Sequence, residues 1–255
     1  MRHPELAARW TGGPAGPIVG LHGWSVDSEV WTPLMARFGD EVRIAAPDLP
    51  GHGATPLDLD GRHLEDLHDV AVEAFCAWSE RAGLEEAPIF AWAWGASVAV
   101  DAVASGRIRP RSMLLVAAAV AELGPSPYVG PTSRDWPRYV RSIVRMMVAD
   151  VISPETEDWL AAMMRATSLA AAAGVNMKQW DPPGPEFRLP PDTVLVHGGN
   201  DRISSGGADL VRPWGCHEVV AVGTAGHTPF IEAKSQFHEV FASWLERIGV
   251  LHARA

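Results

Sequence analysis

The chain predicts an α/β fold, a mostly parallel sheet flanked by helices and interrupted by a helical insertion, on three observations. Short apolar runs bounded by glycine and proline alternate with longer segments of helical periodicity, the pattern of βαβ units. One run, Ile89-Phe90-Ala91-Trp92-Ala93-Trp94-Gly95, passes from a buried strand directly into small helix-forming residues. Roughly seventy residues, 120–191, then separate the fourth strong run from the fifth, too many for an ordinary connection.

The elements follow in order. Leu6–Trp10 is short and precedes the first strong strand, Pro17–Leu21, so the N-terminal part of the sheet is expected to be small. Val42–Pro47 is the second strong run. Leu64, Leu67, Ala71, Ala74 and Trp78 then repeat at helical spacing and should face the sheet. Pro88–Ala93 and Met113–Ala119 continue the strands. The insertion carries helical patterns at Arg134–Ala149 and Pro154–Ala173 and leaves through the proline-rich Asp181-Pro182-Pro183-Gly184-Pro185, which reads as a helical cap over the strand ends. Thr193–His197 and Glu218–Val222 complete the sheet. Phe237, Val240, Phe241 and Trp244 mark a final amphipathic helix. A single domain over 1–255, with the cap inserted at 120–191, is the expected organisation.

At 255 residues and 47% hydrophobic the chain is large enough to cover one such sheet, and no composition shift argues for a second core. A formal charge of −10 disfavours nucleic acid as a partner, because neutralising phosphates needs a basic face. Cys76 and Cys216 stand far apart and in no CxxC spacing, so neither a disulfide framework nor a zinc knuckle is expected. The start of the chain has no apolar signal-peptide core and no long apolar run follows it, so a cytoplasmic protein without membrane contact is expected. Oligomeric state is left open.

Ligands of open parallel sheets bind beyond the carboxyl ends of the strands, so polar residues just after each strand have first claim on function. Four places qualify: Leu21-His22-Gly23-Trp24, the turn at Ala93, His197-Gly198-Gly199-Asn200-Asp201, and Gly226-His227-Thr228-Pro229. A histidine with one ring nitrogen held by a carboxylate can accept a hydroxyl proton and return it to a leaving group. Asp201 and His227 are the expected pair, and position 93 is where their nucleophile would stand. In a strand-nucleophile-helix elbow the places two before and two after the nucleophile must be small, and Ala91 and Gly95 fill them. Backbone N–H groups of Trp24 and Trp94 are the expected oxyanion donors, with both rings walling the pocket. His22, His52 and His197 read as structural, and Ser97, a turn beyond the elbow, as a packing residue. No metal and no cofactor is expected.

These segments resemble the α/β-hydrolase superfamily from about Ile18 to Leu245. His22-Gly23-Trp24, Asp48-Leu49-Pro50-Gly51-His52-Gly53, Trp92-Ala93-Trp94-Gly95 and Gly226-His227-Thr228-Pro229-Phe230-Ile231 are most similar to biotin-pathway carboxylesterases that demethylate pimeloyl-acyl carrier protein methyl ester. The resemblance implies an acyl ester substrate, with an acidic acyl carrier protein docking on cap arginines. Arg134, Arg138, Arg141 and Arg145 offer such a stripe, although arginines solvating an outer helix face would look the same. Met146 and Met147 are expected to pack between cap and core or to line an acyl channel.

The chain departs from the family where the bond is made. Alanine stands at 93, and losing a serine nucleophile costs on the order of a million-fold in turnover. Alanine keeps the backbone strain of the elbow without its reactive atom. The favoured expectation is therefore a serine carboxylesterase made nearly inactive by replacement of its nucleophile. A non-catalytic binding protein of the same fold, or histidine-aspartate chemistry of the cofactor-independent dioxygenase type, are the alternatives.

Overall fold

Where successive residues of a strand are all apolar, both faces of the sheet must be covered, and the core of this protein divides accordingly. Ile18, Ile44, Phe90, Leu114 and Val194 face one hydrophobic cluster, while their neighbours Val19, Ala45, Ala91, Leu115 and Leu195 face the other. The computed structural model describes residues 5–118, 136–150, 152–175, 180–204 and 207–252, except for the side chains at 137 and 138.

In chain order the elements are β1 (Ala8–Trp10), β2 (Ala15–Leu21), α1 (Thr32–Phe38), β3 (Val42–Pro47), α2 (Leu67–Ala82), β4 (Ile89–Trp92), α3 (Trp94–Ala104) and β5 (Met113–Val116). There follow α4 (Trp136–Met147), α5 (Pro154–Ala166), α6 (Leu169–Gly174), β6 (Val194–Gly198), α7 (Gly207–Val211), β7 (Glu218–Val222), α8 (Pro229–Glu232) and α9 (Lys234–Arg247). The described strands form one sheet in the order β1-β3-β2-β4-β5-β6-β7. Only β1 runs antiparallel, pairing Ala8 with Pro47 at the edge. From β3 to β7 every pairing is parallel. All carboxyl ends of the parallel strands therefore open on one side.

Two expected boundaries move for local reasons. The run Met113–Ala119 leaves the sheet at Val116, because Ala117 takes a positive φ of 43° that no strand can continue. The pattern 154–173 is two helices rather than one. Thr167 is extended, with ψ of 137°, and the Ser168 side chain caps the Ala171 N–H. The Ser168 N–H goes to the Gly51 carbonyl at 3.1 Å, which pins the break against the loop after β3.

The helices α4 to α6 belong to the β5–β6 connection and meet the sheet's carboxyl end at several named contacts. Trp24 Nε1 donates to the Ala172 carbonyl at 2.8 Å, and Trp159 Nε1 to Glu29 at 2.9 Å. Parts of the expected insertion, 120–135, 151 and 176–179, lie outside the described residues. Among the described residues no helix is long and apolar enough to cross a membrane.

Candidate active site

The elbow is built from β4, one strained residue and the first turn of α3. Ala93 has φ of 50° and ψ of −118°, a conformation that side chains other than glycine rarely adopt, while its N–H bonds the Val116 carbonyl at 3.0 Å. Its own carbonyl accepts from the N–H of Ala96 at 2.9 Å, so the helix begins at once. Gly95 makes the close turn possible: a Cβ there would stand 2.2 Å from the His22 carbonyl oxygen. Backbone N–H groups at the start of a helix have no partner within it, so the N–H of Trp94 is available to whatever occupies the turn.

Asp201 and His227 meet across the loops that follow β6 and β7. His227 Nδ1 lies 3.1 Å from Asp201 Oδ2 and 3.3 Å from Oδ1, with both side chains buried. Gly198 permits this approach, since a Cβ would stand 2.0 Å from the Gly226 carbonyl oxygen. The two loops are further joined by the Asn200 N–H to the Ala225 carbonyl at 2.9 Å. Burial by itself would raise the Asp201 carboxyl. The hydrogen bond and charge of His227, with bonds from the Ser204 hydroxyl and the Ile203 N–H, outweigh burial and hold the carboxyl well below the usual carboxylate range. Asp201 is thus ionised throughout the neutral range, and with Nδ1 engaged the histidine keeps Nε2 for proton transfer.

Trp92, the residue before Ala93, brings this pair to the elbow. Its Nε1 donates to the His227 carbonyl at 2.9 Å, and the two rings lie 5.6 Å apart. The three residues expected to act together are therefore linked through one tryptophan.

The histidines expected to be structural are engaged by backbone. His22 Nδ1 lies 2.8 Å from the Gly23 carbonyl, and its Nε2 accepts from the Leu49 N–H at 2.9 Å. His52 repeats the arrangement with the Pro50 carbonyl at 3.0 Å and the Ser25 N–H at 3.3 Å. Asp48 accepts from the N–H groups of Ser28 and Ala54, both at 2.9 Å. The loops after β2 and β3 are thereby locked into one unit around Trp24. Burial pushes both imidazoles down, His52 to about 3, so each is neutral. His197 Nδ1 likewise lies 3.0 Å from the Gly198 carbonyl.

The Trp94 ring packs in the other core cluster from Ala93, 5.3 Å from the His52 ring, and donates Nε1 to His68 Nδ1 at 3.0 Å. The ring of Trp24 touches both clusters.

The methionines divide in the same way. Met147 is buried in the cluster that contains Ala93, whereas Met146 is 41% exposed. Of the arginine stripe, Arg134 and the side chain of Arg138 lie outside the described residues. Arg141 pairs with Glu157 at 3.2 Å and Asp158 at 2.6 Å, and Arg145 with Glu157 at 3.3 Å. Their charge joins α4 to α5 and is balanced within the protein.

Two polar residues near the site escape sequence reasoning. Ser204 hydrogen-bonds Asp201, and Glu232 receives N–H groups from both sides of His227. The only signal for Glu232 is a lone carboxylate in an otherwise apolar Pro-Phe-Ile helix start. Among the described residues no group of three or more His, Cys, Asp or Glu side chains is arranged to hold a metal ion.

Comparison with known proteins agrees with this geometry. The sequence profile of the alpha/beta hydrolase family matches residues 18–242. The chain is similar to a pimeloyl-[acyl-carrier protein] methyl ester esterase of Nitrosomonas europaea, 24% identical over 91% of this chain and 96% of that one. It is also similar to the dihydrolipoyllysine-residue acetyltransferase component of an acetoin cleaving system from Cupriavidus necator, 25% identical over 92% of this chain and 64% of that one. Among solved structures an esterase from Exiguobacterium antarcticum superimposes with a TM-score of 0.80 at 16% identity, covering 94% of both chains. The profile spans the parallel strands from Ile18 onward, the elbow and the loops that carry Asp201 and His227, and the chain belongs to the alpha/beta hydrolase family.

Proposed function

We propose that this protein is a serine carboxylesterase whose nucleophile position holds alanine, so that it binds an acyl ester and scarcely turns it over. The observation that carries the reading is the buried Asp201–His227 pair, tied through Trp92 to an Ala93 that keeps a nucleophile's positive-φ backbone. With serine at 93, Oγ would attack the ester carbonyl while His227 Nε2 takes its proton. Asp201 would stabilise the imidazolium, and the N–H groups of Trp24 and Trp94 the oxyanion. His227 would then protonate the leaving alcohol, and water would release the acid by the same route in reverse. With alanine the sequence stops at binding.

An acyl chain as the bound group is supported by the apolar cluster to which Ala93 belongs. Val140, Ile143, Val144 and Met147 from α4, with Met163 and Met164 from α5, share its apolar cluster. In this reading the helices α4 to α6 form the cap. The relative from Nitrosomonas europaea supports a methyl ester carried on acyl carrier protein. Such a carrier would meet Arg141 and Arg145 only by displacing Glu157 and Asp158, so docking on this face should weaken steeply with salt.

Restoring the nucleophile tests the reading. Ala93→Ser is expected to raise hydrolysis of short p-nitrophenyl and methyl esters by several orders of magnitude, measured as kcat/KM against the parent chain. A folded Ala93→Ser protein with no gain defeats the esterase reading, and tight ligand binding in that inactive protein would identify a binding protein. Oxygen uptake with a flat heteroaromatic substrate while Ala93 is in place would point to histidine-aspartate dioxygenase chemistry instead.

A further inference from the structure

Glu232 makes a set of contacts that the acid-base pair alone does not require. Its Oε1 accepts from the Thr228 N–H at 3.2 Å and the Thr228 hydroxyl at 2.8 Å. Its Oε2 accepts from the Gly226 N–H at 3.0 Å and from the Ala149 N–H at 2.8 Å. Gly226 and Thr228 are the two neighbours of His227, so one carboxylate grips the peptide on each side of the base. Ala149 lies just beyond the C-terminal end of α4, in the β5–β6 connection, far from Glu232 in sequence. The same junction is closed a second time, by the His227 N–H donating to the Met147 carbonyl at 2.7 Å.

The backbone of His227 is thus held on every side: its N–H by the end of α4, its carbonyl by Trp92, and its flanking residues by Glu232. A carboxylate that accepts several N–H and O–H groups is a stiff junction, because charge-assisted bonds are roughly twice as strong as neutral ones. The imidazole at the end of this backbone has to reach a nucleophile with little error, since a displacement near 1 Å is enough to cost about a hundredfold in rate.

We infer that Glu232 is a positioning residue that sets the place of the His227 imidazole and couples it to the end of α4, so that movement of α4 moves the base. The coupling rests on the esterase reading only where turnover is measured. In the Ala93→Ser protein, adding Glu232→Ala should lower kcat by about a hundredfold while KM changes less than threefold, because the end of α4 remains tied by the His227 N–H to the Met147 carbonyl. Glu232→Gln, which keeps one acceptor oxygen, should recover part of the loss. Thr228→Val, which removes a single bond, should give a smaller fall in kcat and keeps the test open should Glu232→Ala fail to fold.

A second readout needs no turnover. In the parent chain, the proton shared by His227 Nδ1 and Asp201 should give a downfield proton NMR resonance. Glu232→Ala should broaden or shift it, and Glu232→Gln should largely restore it. An unchanged resonance together with an unchanged kcat in folded Glu232→Ala overturns the inference. A resonance that moves in a chain whose Ala93→Ser form remains inactive upholds the positioning role and defeats the esterase reading alone.

Discussion

Ser25 follows the loop tryptophan with φ of 57°, fully buried, and its hydroxyl has no hydrogen-bond partner among the described residues. A left-handed non-glycine residue and an unsatisfied buried hydroxyl each cost about 1 kcal/mol or more. Ser25→Gly removes both and gives back about 0.5–1 kcal/mol in chain entropy. The net expectation is a gain of about 1 kcal/mol, read as a Tm higher by roughly 3 °C in a melt of parent and variant. Ala93 carries a comparable strain for a different reason. Its conformation is set by the elbow on both sides, so it persists whether or not a reactive atom is there to be aimed. Both the alanine and the strained turn around it were legible in the sequence, because the small residues at 91 and 95 mark the elbow whatever stands between them.

Among the elements, the break between α5 and α6 shows what local signals leave out. The apolar spacing of 154–173 continues through Thr167-Ser168, and only the cap bond to Ala171 and the bond to Gly51 turn the chain. Ser168→Ala should cost about 1 kcal/mol, the usual worth of an N-cap, measured as a lowered urea midpoint without a change in slope. The strands were far more legible, because continuous apolar runs between Gly and Pro have few alternatives in a chain of this length. Glu232 was not, since a carboxylate on a short helix has the same sequence signature whether it faces water or binds an N–H 83 residues away. Arg141 and Arg145 illustrate the same limit: their spacing was readable, but not that Glu157 and Asp158 already answer them.

For the whole molecule, the buried neutral imidazoles predict acid sensitivity. His52, with a folded value of about 3, binds no proton in the native state between roughly pH 3 and 6.5, whereas the unfolded chain does. Unfolding then takes up a proton, so stability falls as pH drops through 6.5, by about 1.4 kcal/mol per unit for this residue. His22 adds in the same direction. Asp201 adds its own loss only below about pH 4, where the unfolded carboxyl begins to protonate and the depressed native one does not. Urea midpoints should therefore decline between pH 6.5 and 5, and His52→Gln should flatten that decline. An equally steep fall in the variant would remove His52 as its cause.

The chain by itself determined the parallel sheet, the elbow with alanine at 93, and the aspartate and histidine that follow β6 and β7. Each of these is written in short-range terms: apolar runs, small residues where backbones close, and polar groups at strand ends. Only the tertiary structure decided that the Trp94 ring bonds His68, that Arg141 and Arg145 are paired, and that Glu232 joins the end of α4 to the residues beside His227. Those are choices among partners distant in sequence, and they are made by packing, which no local pattern encodes.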